Sequence, residues 1–390
     1  MLHALYLVHD LSDPATRRRT AMLQAGGAEV TLAGFRRSHE PTAEIAGRTP
    51  IDLGITRDGR FAQRLAAIAR ANLALGAKFK DIRKPDVIIA RNLEMLVFAR
   101  RLYAQFGGDI PIVYECLDIH RLLLRQDGIG AAMRMAERRL GHAAALLITS
   151  SPAFLREYFG PRGQVDAPVL LLENKVLELT PVPAAPAPNA PQHGETWKIG
   201  WFGALRCRRS LALLSAFTRR MQGRFEIVLR GRPAYSEFED FEATVAAEPH
   251  MRFEGPYRNP DDLAAIYGAV HFAWAIDFFE EGLNSKWLLP NRLYEGCRHG
   301  VVPIAMAGTE TGRFLDGHGI GLSLSEPSAE ALAALLDTLD AAAFAQHHAR
   351  VAAKPDDTWV CGLEGCRALV TRLAGLKRAK AADALLEAAA

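Results

Sequence analysis

A chain of 390 residues is long for a single hydrophobic core, and its length points to two domains of roughly 150 to 200 residues each. Hydrophobic residues make up 49% and charged residues 23% of it, with mean hydropathy at -0.00, a globular composition that excludes a disordered chain. The formal net charge is only +3, and no nucleic-acid partner is expected.

The elements follow in chain order. "HALYLVHD" reads as a first strand: the apolar run is interrupted by His3 and His9 and lacks the basic start of a signal peptide. "PATRRRTAMLQAGG" reads as a helix ending at glycine, and "AEVTLAGF" as a second strand. A helical stretch over 61–78 comes next, then "PDVIIARN", "IPIVYECLD" and "ALLITSS", each a short apolar run with a polar end. Strands of a parallel sheet look like this, because helices cover both faces. The expected first half is a doubly wound α/β sheet that binds ligands beyond the carboxyl ends of its strands.

Residues 181–191, "PVPAAPAPNAP", hold five prolines, which suits a semi-rigid linker and neither helix nor central strand. The α/β alternation then restarts, with "WKIGWFGAL", "RFEIVLRG", "MRFEGPY", "VHFAWAID" and "VVPIAMAG" as strands. The last stretch, 373–390, is rich in Ala, Leu and Lys and strongly helix-forming. No apolar run reaches the eighteen residues of a membrane span. Five cysteines, Cys116, Cys207, Cys297, Cys361 and Cys366, show no CxxC spacing, so neither a disulfide scaffold nor a metal site is indicated, which fits a reducing cytoplasm.

Residues 285–306, "SKWLLPNRLYEGCRHGVVPIAM", place Lys286, Arg292 and Glu295 around a Leu-Pro break. A helix beginning near Pro290 sets Arg292 and Glu295 on neighbouring parts of one face and stops at Gly300. Its amino end, with a lysine just before it, is a natural place for phosphate. "GWFGALRCRR" sets Gly200 and Gly203 at an expected strand-to-helix turn, where bare backbone can approach a diphosphate, and Arg206 follows with a guanidinium suited to phosphate oxygens. A plain tight turn with a surface arginine accounts for the same residues. Farther upstream, "YECLDIH" supplies Glu115, Asp118 and His120 beyond a buried strand. Two of them could act as a base, Asp118 the first candidate and His120 the second, a hydrogen-bonded structural histidine being the competing reading. Asp10 beside His9, and Asn92 with Glu94, stand at strand ends in the same way.

Three stretches, "IGWFGALRCRRSLALL", "MRFEGPYRNPDDLAAIYGAVHFAWAIDF" and "LPNRLYEGCRHGVVPIAMAGTETGRFL", together resemble the nucleotide-sugar-binding half of GT-B glycosyltransferases. The likeness is to the family-4-like group of bacterial exopolysaccharide biosynthesis, succinoglycan-type pathways included. "YECLDIHRLL", "LLITSSPAFLREYF" and "LLENK" resemble the acceptor half, so the resemblance spans residues 1 to about 375. It implies an α/β chain of two Rossmann-like domains facing a cleft: an acceptor domain over 1–178, a linker over 179–196, a donor domain over 197–372 and a terminal helix over 373–390. The activity it implies is a metal-independent transfer, with no cofactor, from a nucleotide-sugar donor to a polyprenyl-diphosphate-linked glycan. The implied location is the cytoplasm, at the inner face of the membrane, where the basic runs "RRR" and "KFKDIRK" would meet lipid phosphates.

By the same resemblance Gly203, Arg206 and Lys286 attend the diphosphate, with Arg292 beside them. Glu295 accepts hydrogen bonds from the ribose hydroxyls, Glu254 belongs to the loop against the base, and Thr309 meets the sugar or a phosphate. The family's two glutamates eight positions apart are not kept: Trp287 stands eight before Glu295, and Glu281 is the candidate that replaces the missing acid. Other readings of two Rossmann-like halves are a non-catalytic nucleotide-sugar-binding partner and a GT-B nucleotide-sugar epimerase. A dinucleotide oxidoreductase ranks last, for want of a GxGxxG followed by a ribose acid.

Overall fold

The computed structural model describes residues 1–40, 44–56, 61–180, 190–192, 195–279 and 281–389, and most of the proline-rich linker expected over 179–196 lies outside them. The chain forms two compact units, one of Met1–Leu172, Leu177–Thr180 and Cys361–Ala390, the other of Glu173–Val176 and Pro181–Val360.

In the first unit the strands are β1 (His3–Val8), β2 (Glu29–Arg36), β3 (Ile51–Ile55), β4 (Val87–Arg91), β5 (Ile112–Cys116), β6 (Ala144–Thr149) and β7 (Val169–Leu171). Among the described residues they pair in parallel in the order β3-β2-β1-β4-β5-β6-β7. The main helices are α1 (Pro14–Ala25), α2 (Phe61–Lys78), α3 (Leu93–Gln105), α4 (Arg121–Leu124) and α5 (Gly128–Gly141). Local chemistry sets their ends: Asp13 accepts from the Ala15 amide ahead of Pro14, and α1 closes at Gly26.

The chain's last segment differs from the sequence expectation, which gave 361–372 to the second domain. One helix, α12 here in chain order (Leu363–Ala389), belongs with the first unit. Cys366, Leu369, Val370 and Leu373 recur at helical spacing, and this stripe is buried with Met22 and Leu23 of α1 and with the apolar face of β1. Gly26 permits the approach, because a Cβ there would come within 2.2 Å of the Cys366 carbonyl oxygen. Each large apolar side chain so buried contributes about 1.5–3 kcal/mol, enough to decide where a helix with little else to bury will dock.

The second unit repeats the plan. Its strands are β8 (Trp197–Leu205), β9 (Phe225–Pro233), β10 (Met251–Phe253), β11 (Phe272–Trp274), β12 (Val302–Met306) and β13 (Leu322–Leu324). They pair in parallel in the order β10-β9-β8-β11-β12-β13. Its main helices include α6 (Arg208–Met221), α7 (Leu263–Gly268), α8 (Asn291–Arg298), α9 (Glu310–His318), α10 (Ala329–Asp337) and α11 (Ala341–Ala352). Trp201, Trp274, Phe217, Phe225 and Phe272 fill its core. In each sheet the strand order reverses once, between β1 and β4 and between β8 and β11. Open α/β sheets bind ligands beyond the strand ends at such a reversal.

Candidate functional site

Beyond the carboxyl ends of β8 and β11 two charged residues meet. Arg206 directly follows β8, and its Nη2 lies 3.2 Å from Oδ2 of Asp277, three residues past β11. Arg292, one residue into α8, brings its own Nη2 to 3.5 Å from the same oxygen. The other Asp277 oxygen, Oδ1, accepts from the Phe279 amide at 2.9 Å, and the Arg206 guanidinium carbon sits 4.5 Å from the centre of the Phe279 ring. The short 277–279 turn therefore holds the Arg206 plane by its edge and by its face. Two guanidiniums against one carboxylate leave this group one positive charge in excess. The Nε atoms of Arg206 and Arg292 are buried and have no hydrogen-bond partner among the described residues.

Asp277 also borders a cavity of about 220 Å³, with Glu281, Lys286, Pro290, Gly308 and Thr309 among its walls. Thr309 caps α9: its hydroxyl donates to the Met306 carbonyl at 2.7 Å and accepts from the Gly312 amide at 3.1 Å. The positive end of that helix dipole thus faces the same space as Lys286. Lys286 is exposed and has no ion-pair partner among the described residues. Glu281, by contrast, is paired with Arg209, which lies 4.8 Å over the Phe278 ring. Lys286 and a helix amino end beside this cavity suit a phosphate group.

The other donor-side residues named from sequence do not line this cavity. Gly200 and Gly203 lie inside β8 and not at its turn, because the strand runs on to Leu205 before α6 begins at Arg208. Gly203 has φ +104° and pairs with Gly231, where a Cβ would come within 1.9 Å of the Gly203 carbonyl oxygen. The glycines here let two strands approach closely. Glu254 is taken up by Arg252, 2.7 Å away, and Arg230, 3.8 Å away. Glu295 is 6% exposed, on α8, where it accepts from Asn259 Nδ2 at 2.8 Å and Tyr267 Oη at 3.1 Å. Burial, and then the neighbouring Glu295 charge, push the Tyr267 phenol well above its ordinary pKa, so it stays a donor.

Sequence reading misses Asp277 as the partner of both arginines, and Asn259 and Tyr267 as partners of Glu295. The available signal is positional: Asp277 ends "VHFAWAID", as catalytic and binding residues do at parallel strand ends.

In the first unit, Asp118 and His120 follow β5 and are exposed. His120 caps α4, its Nδ1 accepting from the Leu122 amide at 3.3 Å. Partial desolvation of the ring by its neighbours holds the imidazole below its ordinary pKa despite the Glu94 charge, which keeps it neutral near pH 7. His9 and Asn92 face each other across the β1/β4 reversal at 3.3 Å, and Asn92 takes φ +67°. Glu94 is paired with Arg64. Glu115 is a structural group, fully buried between Tyr6 Oη and Arg19 Nε, each at 2.5 Å.

The two basic runs singled out in the sequence are largely spoken for. Arg19 pairs with Glu115, Arg83 with Glu29 at 2.8 Å and Lys84 with Asp109 at 2.7 Å, while Lys78 donates to the Asp52 carbonyl at 2.6 Å. Among the described residues no helix is long and apolar enough to cross a membrane, and no cluster of His, Cys, Asp and Glu has metal-site geometry.

No protein-family model matches the chain. It is 62% identical over 380 residues to the succinoglycan biosynthesis protein ExoL of Rhizobium meliloti strain 1021, which covers 96% of this chain and 94% of that protein. Among solved structures, sucrose-phosphate synthase from Thermosynechococcus elongatus matches with TM-score 0.65 and 16% identity over 100% of both chains. The UDP-forming alpha,alpha-trehalose-phosphate synthase of Burkholderia vietnamiensis matches with TM-score 0.66 and 15% identity over 98% of this chain and 99% of that one. HepE of Anabaena, solved with UDP and glucose, matches with TM-score 0.60 and 14% identity over 99% of both. At these identities the structural likeness is one of fold, the GT-B arrangement of two Rossmann-like domains. The chain belongs to the family of the succinoglycan biosynthesis protein ExoL.

Proposed function

We propose that the protein is a glycosyltransferase of exopolysaccharide assembly. It moves a sugar from a nucleotide-sugar to a hydroxyl of a glycan carried on a polyprenyl diphosphate, at the cytoplasmic face of the membrane. The observation that carries this reading is the second unit's cavity, bordered by Lys286, by Thr309 at the amino end of α9 and by Asp277, which holds Arg206 and Arg292 beyond the carboxyl ends of β8 and β11. Such a site neutralises a departing nucleoside diphosphate by fixed cations, with no metal required of it. Glu295 is assigned to the ribose, and Thr309 to the sugar or a phosphate.

In the reaction the acceptor oxygen forms a bond to the anomeric carbon, the carbon's bond to the phosphate oxygen breaks with its electron pair on that oxygen, and the hydroxyl proton leaves to a base. Asp118 is assigned as that base in the first unit, with the neutral His120 imidazole as second choice.

Calorimetric titration with UDP-, GDP- and dTDP-sugars tests the donor half of the reading. HepE was solved with UDP, so the uridine series comes first. One nucleotide-sugar should bind wild type, and Lys286→Ala should weaken it about tenfold or more, the worth of a charge-assisted contact to phosphate. A folded wild-type protein that binds none of them is a partner or scaffold and not a transferase.

A further inference from the structure

The first sheet also reverses its strand order once, between β1 and β4, where His9 and Asn92 stand apart from the donor cavity and from the proposed base. Asn92 follows β4 with φ +67° and ψ 167°, a backbone region that suits glycine and strains any residue with a Cβ. Its backbone N–H donates to the Glu115 carbonyl at 2.8 Å, which ties the strained residue to β5. An asparagine at the start of a helix ordinarily caps it, but the Asn92 side chain makes no cap to α3. Its Oδ1 is buried without a hydrogen-bond partner among the described residues. Folding gains little from this side chain, and strain of this kind collects at sites of function.

What the side chain does is meet His9, its Nδ2 lying 3.3 Å from the ring's Nδ1. An amide nitrogen only donates, so Nδ1 accepts, the ring proton sits on Nε2, and the imidazole presents an N–H beyond the end of β1. Desolvation by its neighbours, against the pull of the Glu94 charge, holds the ring below its ordinary pKa and keeps it neutral near pH 7. The charges that face it from the other elements cancel. Arg91 of β4 pairs with Asp13, before α1, at 2.9 Å, and Arg64 of α2 pairs with Glu94 of α3. Asp10, next in the chain, is matched by Arg37 at 3.0 Å. Glu94 acts on His120 as well as on His9, so the reversal and the loop after β5 that carries Asp118 border common ground.

We propose that His9 is a substrate-binding residue, which donates from Nε2 to a hydroxyl of the acceptor's terminal sugar, and that Asn92 is the positioning residue that fixes its tautomer. Matched charges on every side give no hold on a phosphate or a carboxylate, so the sugar recognised here is an uncharged one. The ring does not compete with Asp118: one hydroxyl gives its proton to the carboxylate while the oxygen of a neighbouring hydroxyl accepts from the imidazole. The inference rests on the glycan acceptor proposed above and names the class of sugar at its end.

Imidazole nitrogen NMR spectra, and saturation-transfer spectra with methyl β-glucoside, methyl β-galactoside and the charged methyl β-glucuronide, test it. The His9 signals are those that disappear in His9→Phe. Wild type should show His9 as the Nε2–H tautomer, bind a neutral glycoside, and bind the glucuronide about tenfold more weakly or not at all. His9→Phe should abolish glycoside binding. Asn92→Gly should mix the His9 tautomers and weaken the glycoside roughly five- to tenfold, the worth of one well-placed hydrogen bond. It should melt no lower than wild type, because glycine takes this backbone conformation without strain. An Nδ1–H tautomer in wild type, no binding of either neutral glycoside, a preference for the glucuronide, binding unchanged in both variants, or a lowered melting temperature for Asn92→Gly overturns the proposal. Donor titration is read separately: donor binding with a negative glycoside result removes only this subsite, while a wild-type protein that binds no donor removes the transferase reading.

Discussion

Arg206 and Asp277 stand 3.2 Å apart at the one place where the second sheet reverses its strand order. The pair closes the gap between two strands that are neighbours in space but far apart in sequence, Leu205 and Phe272 being separated by 67 positions. Asp277 is itself fixed by the Phe279 amide, so what it fixes in turn is the aim of the arginine.

Asp277→Asn should therefore weaken nucleoside diphosphates while leaving the bare nucleoside unaffected. The amide keeps an acceptor for the Phe279 amide but no longer attracts two guanidiniums, and loss of a hydrogen bond to a charged group is worth about 1.5–3 kcal/mol, roughly tenfold or more in affinity. Calorimetry with UDP against uridine reads the difference. Equal losses for both ligands would mean that the substitution disturbs the base side of the site and that Asp277 does not aim a phosphate ligand.

Glu295 makes a second prediction, because it is both a proposed ribose ligand and a buried acceptor for Asn259 and Tyr267. Glu295→Ala leaves the buried Tyr267 hydroxyl unsatisfied, at about 1–3 kcal/mol, while the exposed Asn259 amide can turn to water, and should lower the melting temperature. Glu295→Gln retains an acceptor oxygen and should melt near wild type while binding the nucleotide about tenfold more weakly. If the Gln variant binds normally, the glutamate serves the fold and the ribose is held elsewhere.

The sheets were legible in the sequence because parallel strands are short apolar runs with polar ends, and "HALYLVHD", "PDVIIARN" and "VVPIAMAG" all satisfy that pattern. Helix 61–78 was equally plain, and its bounds agree with α2. The short edge strands β3, β7 and β13 escaped, because three to five half-exposed residues carry little periodicity. The donor side was legible by residue type and not by partner: nothing local in "DFFEEGLN" says that Asp277 turns to Arg206 and Arg292 while Glu281 goes to Arg209. The return of the last helix to the first unit was hidden for the same reason. Its apolar stripe is visible in sequence, but the surface it matches, around Gly26, is more than 300 residues away.

That return gives a third prediction. Gly26→Ala places a methyl group against the Cys366 carbonyl, and overpacking of this kind costs about 1–3 kcal/mol. Leu369→Ala, which empties part of the same contact, should cost about 2–5 kcal/mol. Both changes lie in the first unit, so donor titration at a temperature where the protein stays folded should match wild type. A donor affinity that falls with either change would show that the two units do not act independently in binding.

The buried pair of Glu115 and Arg19 sets the behaviour of the first unit in acid. Burial pushes the Glu115 carboxyl up, but Arg19 and Arg91, with the Tyr6 hydroxyl, outweigh it and hold the group below its ordinary pKa. A carboxyl lowered in the folded state stabilises the fold above its unfolded pKa of about 4.3, and that contribution disappears as pH falls through the folded value. Wild type should accordingly lose stability on acidification below about pH 4.3. Arg19→Met should cost about 3–5 kcal/mol at pH 7, since it strips a buried carboxylate of its nearest partner. Its deficit against wild type should shrink as the pH is lowered, because protonation then relieves the variant while it costs the parent. Denaturant midpoints of both proteins between pH 3 and 8 decide the matter: a deficit that stays constant across that range would assign the loss to packing of the arginine stem and not to its charge.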